Sequence, residues 1–132
     1  MKDGLSIDEA GSKFWYLNGE QHREDGPAVE HTTGYKSWFL HGQRHREDGP
    51  AVEEATGDKS WWFNGLRHRE DGPAIEFDNG YKAWWFDGKR HRDDGPAIEE
   101  TNGSKHWWFD DKKLSYDQYI LRTSKFWQKV SL

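Results

Sequence analysis

The chain of 132 residues contains no cysteine. Disulfides, thiol catalysis and cysteine-ligated metal are thereby excluded, and the composition suits a reducing compartment. An excess of positive charge is also missing: 19 Lys and Arg stand against 24 Asp and Glu, a formal net charge of −5. General nucleic-acid binders and proteins of anionic membrane surfaces are usually basic, so neither general DNA binding nor membrane binding is expected. No stretch approaches the ~20 apolar residues of a membrane span. The opening MKDGLSIDEA has no apolar run of the signal-peptide kind. The expected location is therefore cytoplasmic. Asn102-Gly103-Ser104 matches a glycosylation sequon and reads more simply as a turn.

Hydrophobic residues are scarce too, at 33%, which equals the share of charged residues. That balance alone leans toward disorder. The aromatics oppose it. Nine Trp, seven Phe and five Tyr make up 16% of the chain, and each can bury about 150–250 Å². The expectation is one folded domain over residues 1–132 with a thin, aromatic-rich core.

What is abundant is repetition. HREDGPAVE at 22–30 returns as HREDGPAVE at 45–53, HREDGPAIE at 68–76 and HRDDGPAIE at 91–99, a period of 23 residues. The glycines Gly11, Gly34, Gly57, Gly80 and Gly103 keep the same period, as do aromatic pairs from Trp15-Tyr16 to Trp107-Trp108. A fixed, gapless period is the mark of stacked repeats. The units run over about 11–33, 34–56, 57–79, 80–102 and 103–114. Each reads as two short strands, such as KSWWF (59–63) and AIEF (74–77), joined by a compact loop, NGLRHREDGP. Asn-Gly, His-Gly and Asp-Gly supply the turns, and Gly-Pro ends a strand. The predicted architecture is all-β: an elongated single-layer antiparallel sheet of stacked β-hairpin repeats, with a C-terminal capping α-helix.

That helix is predicted over about 115–130. Ser115 and Gln118 have capping-box spacing, and Leu114 is placed to staple onto Tyr119. Tyr116, Tyr119, Ile120, Trp127 and Val130 fall on one stripe. The fifth unit also breaks pattern, with Asp111 in place of Gly88 and Leu114 in place of His91. A cap is expected there because an end unit otherwise exposes a strand edge and an apolar face.

The spacing Tyr-x-small-x-aromatic-x-x-Gly occurs as Tyr35, Ser37, Phe39, Gly42 and as Tyr81, Ala83, Trp85, Gly88. On these residues the chain resembles the MORN repeat over about residues 11–111. The strand glycine usual in that family is Ser or Ala here, and its Gly-x-Gly end is replaced by HREDGPA. The resemblance is to a divergent subgroup from phage, giant-virus and bacterial proteins. It implies stacked hairpins and, for a phage or viral protein, a host protein as target in the host cytoplasm.

The loop invites a chemical reading, since His beside carboxylates can serve as a base or a metal site. Four copies argue against catalysis, which is normally assembled once. HRDD at 91–94 lacks the glycine-rich loop and DFG of a kinase. Successive histidines lie about 9–10 Å apart, from two strand spacings, too far to share an ion with ligands at about 2.0–2.2 Å. No enzyme activity, metal or cofactor is expected. The loop is read instead as a brace, His22, Asp25, His45, Asp48, His68, Asp71, His91 and Asp94. Its Asp residues would accept backbone N–H bonds, and its His and Arg would bridge to carboxylates. Strand alternation puts Trp61 and Phe63 on one face and Trp62 on the other, so something must cover an apolar face. Loops folded back with Arg stems on the Trp rings would do so. An uncovered face would instead bind a partner, with Trp38, Trp61, Trp84, Trp107, Arg46, Arg69 and Arg92 as candidate binding residues. The expected function is non-enzymatic binding of another protein. The alternative is recognition of nucleotides or single strands by stacked Trp and Arg.

Overall fold

A computed structural model of the chain describes residues 3–130, with side chains described to residue 124. The expected architecture is present: a 12-stranded antiparallel sheet runs the length of the molecule, and one helix, Tyr116–Val130, follows it. Each repeat gives the sheet two dipeptide strands, for example Lys59–Ser60 and Ile75–Glu76. Register follows from side-chain period 2. On one face Glu30, Lys36, Glu53, Lys59, Glu76, Lys82, Glu99 and Lys105 alternate as directly opposed pairs. Opposite charges across strands favour this register, and a slip of one residue would bring the apolar set to the water face. On the other face Val29, Ser37, Val52, Ser60, Ile75, Ala83 and Ile98 form the matching inner row.

The aromatic segment is not one strand paired throughout with AIEF. In the middle repeats it splits: Trp62–Phe63 leaves the long sheet and pairs with Leu66–Arg67, inside the segment expected to be loop. The reason is the turn. Asn64 and Gly65 sit at φ 49° and 81°, the pattern of a two-residue type I′ hairpin, which requires a strand immediately after it. Trp61 joins the two ladders. Its N–H donates to Ala74 C=O at 2.7 Å, and its C=O accepts from His68 N–H at 3.1 Å. The small hairpins also bond to one another, through Gly65 N–H to Arg44 C=O and Arg46 N–H to Trp62 C=O. Every repeat is thus tied to the next twice, once in the long sheet and once in the hairpin row.

The core also departs from expectation. The completely buried positions are Ala28, Ala51, Ala74 and Ala97, joined by Val29, Val52, Ile75, Ala83 and the hydroxyl residue Ser37. Among the described residues no aromatic is fully buried; their tryptophans are half-buried and form the cover over an alanine and valine column. The alanine carbonyls accept the N–H groups of Trp15, Trp38, Trp61 and Trp84 at 2.7–2.8 Å. Backbone is bonded to backbone at this level, which leaves room for little more than a methyl.

The helix starts with a reciprocal capping box. Gln118 N–H donates to Ser115 Oγ at 3.1 Å, and Ser115 N–H donates to Gln118 Oε1 at 2.8 Å. Tyr116 and Tyr119 lie on Trp107, with ring centroids 5.0 and 5.9 Å away. The stripe is only partly used, because Tyr116 and Ile120 stay exposed. Trp127 and Val130 fall outside the residues whose side chains are described. Among the described residues no helix is long and apolar enough to cross a membrane.

Candidate functional site

The loops stack along one edge of the array, and each is built in the same way. The arginine folds back over its own tryptophan: Arg23 over Trp15, Arg46 over Trp38, Arg69 over Trp61 and Arg92 over Trp84, with Cζ 3.8–3.9 Å from the ring centroid. Its Nε donates to Asp25, Asp48, Asp71 or Asp94 at 2.9–3.2 Å, and its second nitrogen donates to the proline carbonyl at 3.0–3.1 Å. Glu30, Glu53, Glu76 and Glu99 approach the same guanidinium within 3.2–3.9 Å. The glycine of the loop leaves space for this arrangement. A Cβ on Gly72 would stand 3.0 Å from Arg69 Cζ. The bond from Arg23 and then its charge hold the Asp25 carboxyl below the usual carboxylate range.

The expected bridge from Arg to carboxylate is present in each loop, and at Asp25 a backbone N–H, its own, adds to it. The histidine meets a backbone N–H across a repeat boundary. Nδ1 of His22, His45, His68 and His91 accepts from the N–H of His41, Asn64, Asp87 and Asp110 at 2.9–3.0 Å. Those four donors are the positive-φ residues of the next hairpin turn. Each ring also packs at a tilt on the next repeat: His22 on His41, His45 on Phe63, His68 on Phe86 and His91 on Phe109, at 4.3–4.4 Å. An accepting Nδ1 places the ring hydrogen on Nε2, which faces Glu24, Glu47, Glu70 or Asp93 at 3.0–3.6 Å.

A second cationic row was not anticipated from the sequence. Arg44 lies over Phe39 and Trp62, Arg67 over Trp62 and Trp85, and Arg90 over Trp85 and Trp108, all within 3.7–5.7 Å. Guanidinium and ring thus alternate from repeat to repeat on the face away from the loops. The signal was available, since Arg44, Arg67 and Arg90 stand immediately before the histidines at the same period. Among the described residues only Arg90 has a carboxylate there, Asp111 at 3.0 Å, and this bond holds that carboxyl below its ordinary range. The buried Nε atoms of Arg44 and Arg67 make no hydrogen bond, because Gly65 and Gly88 occupy the positions equivalent to Asp111.

The candidate binding residues are therefore placed as follows. Trp38, Trp61 and Trp84 lie under Arg46, Arg69 and Arg92, so rings and cations are engaged with each other rather than open. Trp107 has no loop arginine and is covered by the helix tyrosines. Between consecutive loops, however, grooves remain. One, of 590 Å³, lies between the first and second loops over Trp38, Leu40 and His45. Another, of 930 Å³, lies between the second and third loops over Trp61, Phe63, His68 and Phe86. Carboxylates rim both: Glu24, Asp25, Glu47, Asp48, Glu70 and Asp71. Among the described residues no three His, Asp or Glu side chains converge as a metal set would. Compared with known proteins, the chain matches no family model and no curated protein.

Proposed function

We propose that this chain is a non-enzymatic module that binds another protein along the loop edge of its array. The observation that carries the reading is the open groove between the second and third loops, whose lining includes Phe63 and Phe86 at 41% and 44% exposure. Exposed aromatics held on a rigid frame and ringed by polar groups are the composition of a binding surface. The frame is rigid because each loop is cross-braced by its arginine and pinned to the next hairpin by its histidine. Recognition of nucleotides or single strands would need open Trp faces and free guanidinium groups. Here each is engaged with the other, and the rim is acidic. A cytoplasmic setting, and a host protein as target if the chain is viral, belong to the same proposal.

The test is affinity capture from a cell lysate with two baits, the wild-type chain and the Phe63→Ser/Phe86→Ser double variant. Both baits are checked for the same folded circular-dichroism spectrum. A protein retained by the first and lost by the second is the expected result. Equal retention by both baits would place binding elsewhere on the molecule.

A further inference from the structure

The last groove of the array shows what chemistry suits the others. It lies between the fourth loop and the helix, walled by Arg92, Asp93 and Asp94 and floored by Trp107 and Phe109. The chain lines it with its own cation: Arg122 Cζ sits 3.3 Å from the centre of the Phe109 ring. Phe86 and Phe63 occupy the same position one and two repeats earlier. Among the described residues no guanidinium lies over either ring. The carboxylates beside them are open to water, with Glu47 78%, Asp48 89%, Glu70 80% and Asp71 87% exposed. The arginines of the same loops add little positive field at the rim. Each is less than a quarter exposed and faces two carboxylates.

Spacing then selects the shape of the occupant. Each repeat adds two strands to the sheet, so successive grooves are about 9.4–9.8 Å apart. A β-strand returns a side chain to the same face every two residues, at about 6.6–6.8 Å. A polyproline-II helix returns one every three residues, at about 9.3 Å. Only the second keeps step with the grooves.

We infer that the partner presents an extended, polyproline-II-type segment with Lys or Arg at every third position, successive cations entering the grooves at Phe63 and Phe86. This rests on the protein-binding reading above and specifies the chemistry of the partner. The cation lies over Phe63 or Phe86 as Arg122 lies over Phe109, and the rim carboxylates neutralise it. Attraction of this kind weakens with salt, since the rim is exposed.

Synthetic peptides test it with the whole chain. Fluorescein-labelled (Lys-Pro-Pro)5 is titrated beside an isomer whose five lysines are contiguous and beside (Glu-Pro-Pro)5, and anisotropy is read at low and moderate salt. The periodic lysine peptide should bind at least about tenfold more tightly than its isomer, through simultaneous occupation of grooves. The glutamate peptide should not bind. Glu47→Gln/Glu70→Gln and Phe63→Leu should each weaken the interaction. Arg122→Ala, which opens the terminal groove, should strengthen it by about two- to fivefold. Equal binding of the two lysine peptides, no binding of either, or indifference to all of these variants overturns the inference. A partner captured in a Phe63- and Phe86-dependent way by a chain that ignores the lysine peptides would leave the protein-binding reading standing and remove this one alone.

Discussion

Single atoms separate the repeats more sharply than their sequences suggest. Trp62 Nε1 donates to Ser60 Oγ at 2.8 Å. One repeat later Ala83 stands where Ser60 does, and the buried Nε1 of Trp85 has no partner. One repeat earlier the serine is present as Ser37, but Phe39 replaces the indole, and the buried Ser37 hydroxyl is the unpaired group. Supplying or removing one partner acts on the cost of an unsatisfied buried group, about 1–3 kcal/mol. Ala83→Ser is therefore expected to stabilise the fold by about 1 kcal/mol, and Ser37→Ala to leave it unchanged or more stable. Both are measured by urea unfolding. A loss of stability from Ala83→Ser would show that the inner row cannot admit the hydroxyl at that repeat.

The histidines differ for a similar reason. The N–H groups bonded by His22 and His45 are part-buried, whereas those bonded by His68 and His91 face water. His45→Ala should cost about 1–3 kcal/mol, and His91→Ala clearly less, since water can replace the lost acceptor. Equal losses at the two sites would argue that ring packing, not the hydrogen bond, is what the histidine contributes. The Asp25 carboxyl, depressed by Arg23, adds stability that is present above the ordinary carboxylate value of about 3.9 and lost as pH falls below it. The melting temperatures of wild type and Asp25→Asn should therefore differ slightly at neutral pH, and the difference should shrink as the pH falls below the ordinary carboxylate range.

At the scale of the element, what the sequence disclosed depended on length. The helix was legible because fifteen residues carry a cap and a stripe. The period was legible because four loops repeat nearly letter for letter. The strand Leu66–Arg67 was not, since two residues are too few to show any alternation. The identity of the core was missed for a different reason: twenty-one aromatics draw attention from the alanine of each Gly-Pro-Ala, yet that alanine has no exposed surface. The groove phenylalanines were grouped only by face, as their exposure depends on how far the next loop reaches.

The helix itself has a narrower duty than an edge cover. The last strand, Lys112–Leu114, ends the sheet with two exposed lysines, which already discourage pairing with another chain. The helix tyrosines shield the Trp107 ring instead. Removing residues 115–132 is thus expected to lower the melting temperature and shift tryptophan emission to the red without producing aggregates in light scattering. Immediate aggregation would return the helix to the role of edge guard.

For the molecule as a whole, the same contacts recur from unit to unit, so stability should behave as a sum of units and interfaces. Inserting a second copy of residues 57–79 after residue 79 supplies both halves of every ladder, staple and cation–ring contact. The enlarged chain should fold, with a steeper urea dependence in proportion to the added surface and a melting temperature no lower than the parent. Failure to fold would mean that the ends, rather than the repeats, dictate the structure.

The main ladder has a mechanical consequence. Its strands lie across the long axis, and its hydrogen bonds run along that axis, two residues per strand in the central repeats. Tension between the termini would load these short ladders one after another, in the manner of a zipper, rather than shearing many bonds at once. Each repeat freed would release a tether of 23 residues, about 80 Å at full extension. A force-extension trace should therefore rise and fall in evenly spaced, low-force teeth, and the array would work as a stepwise extensible strap.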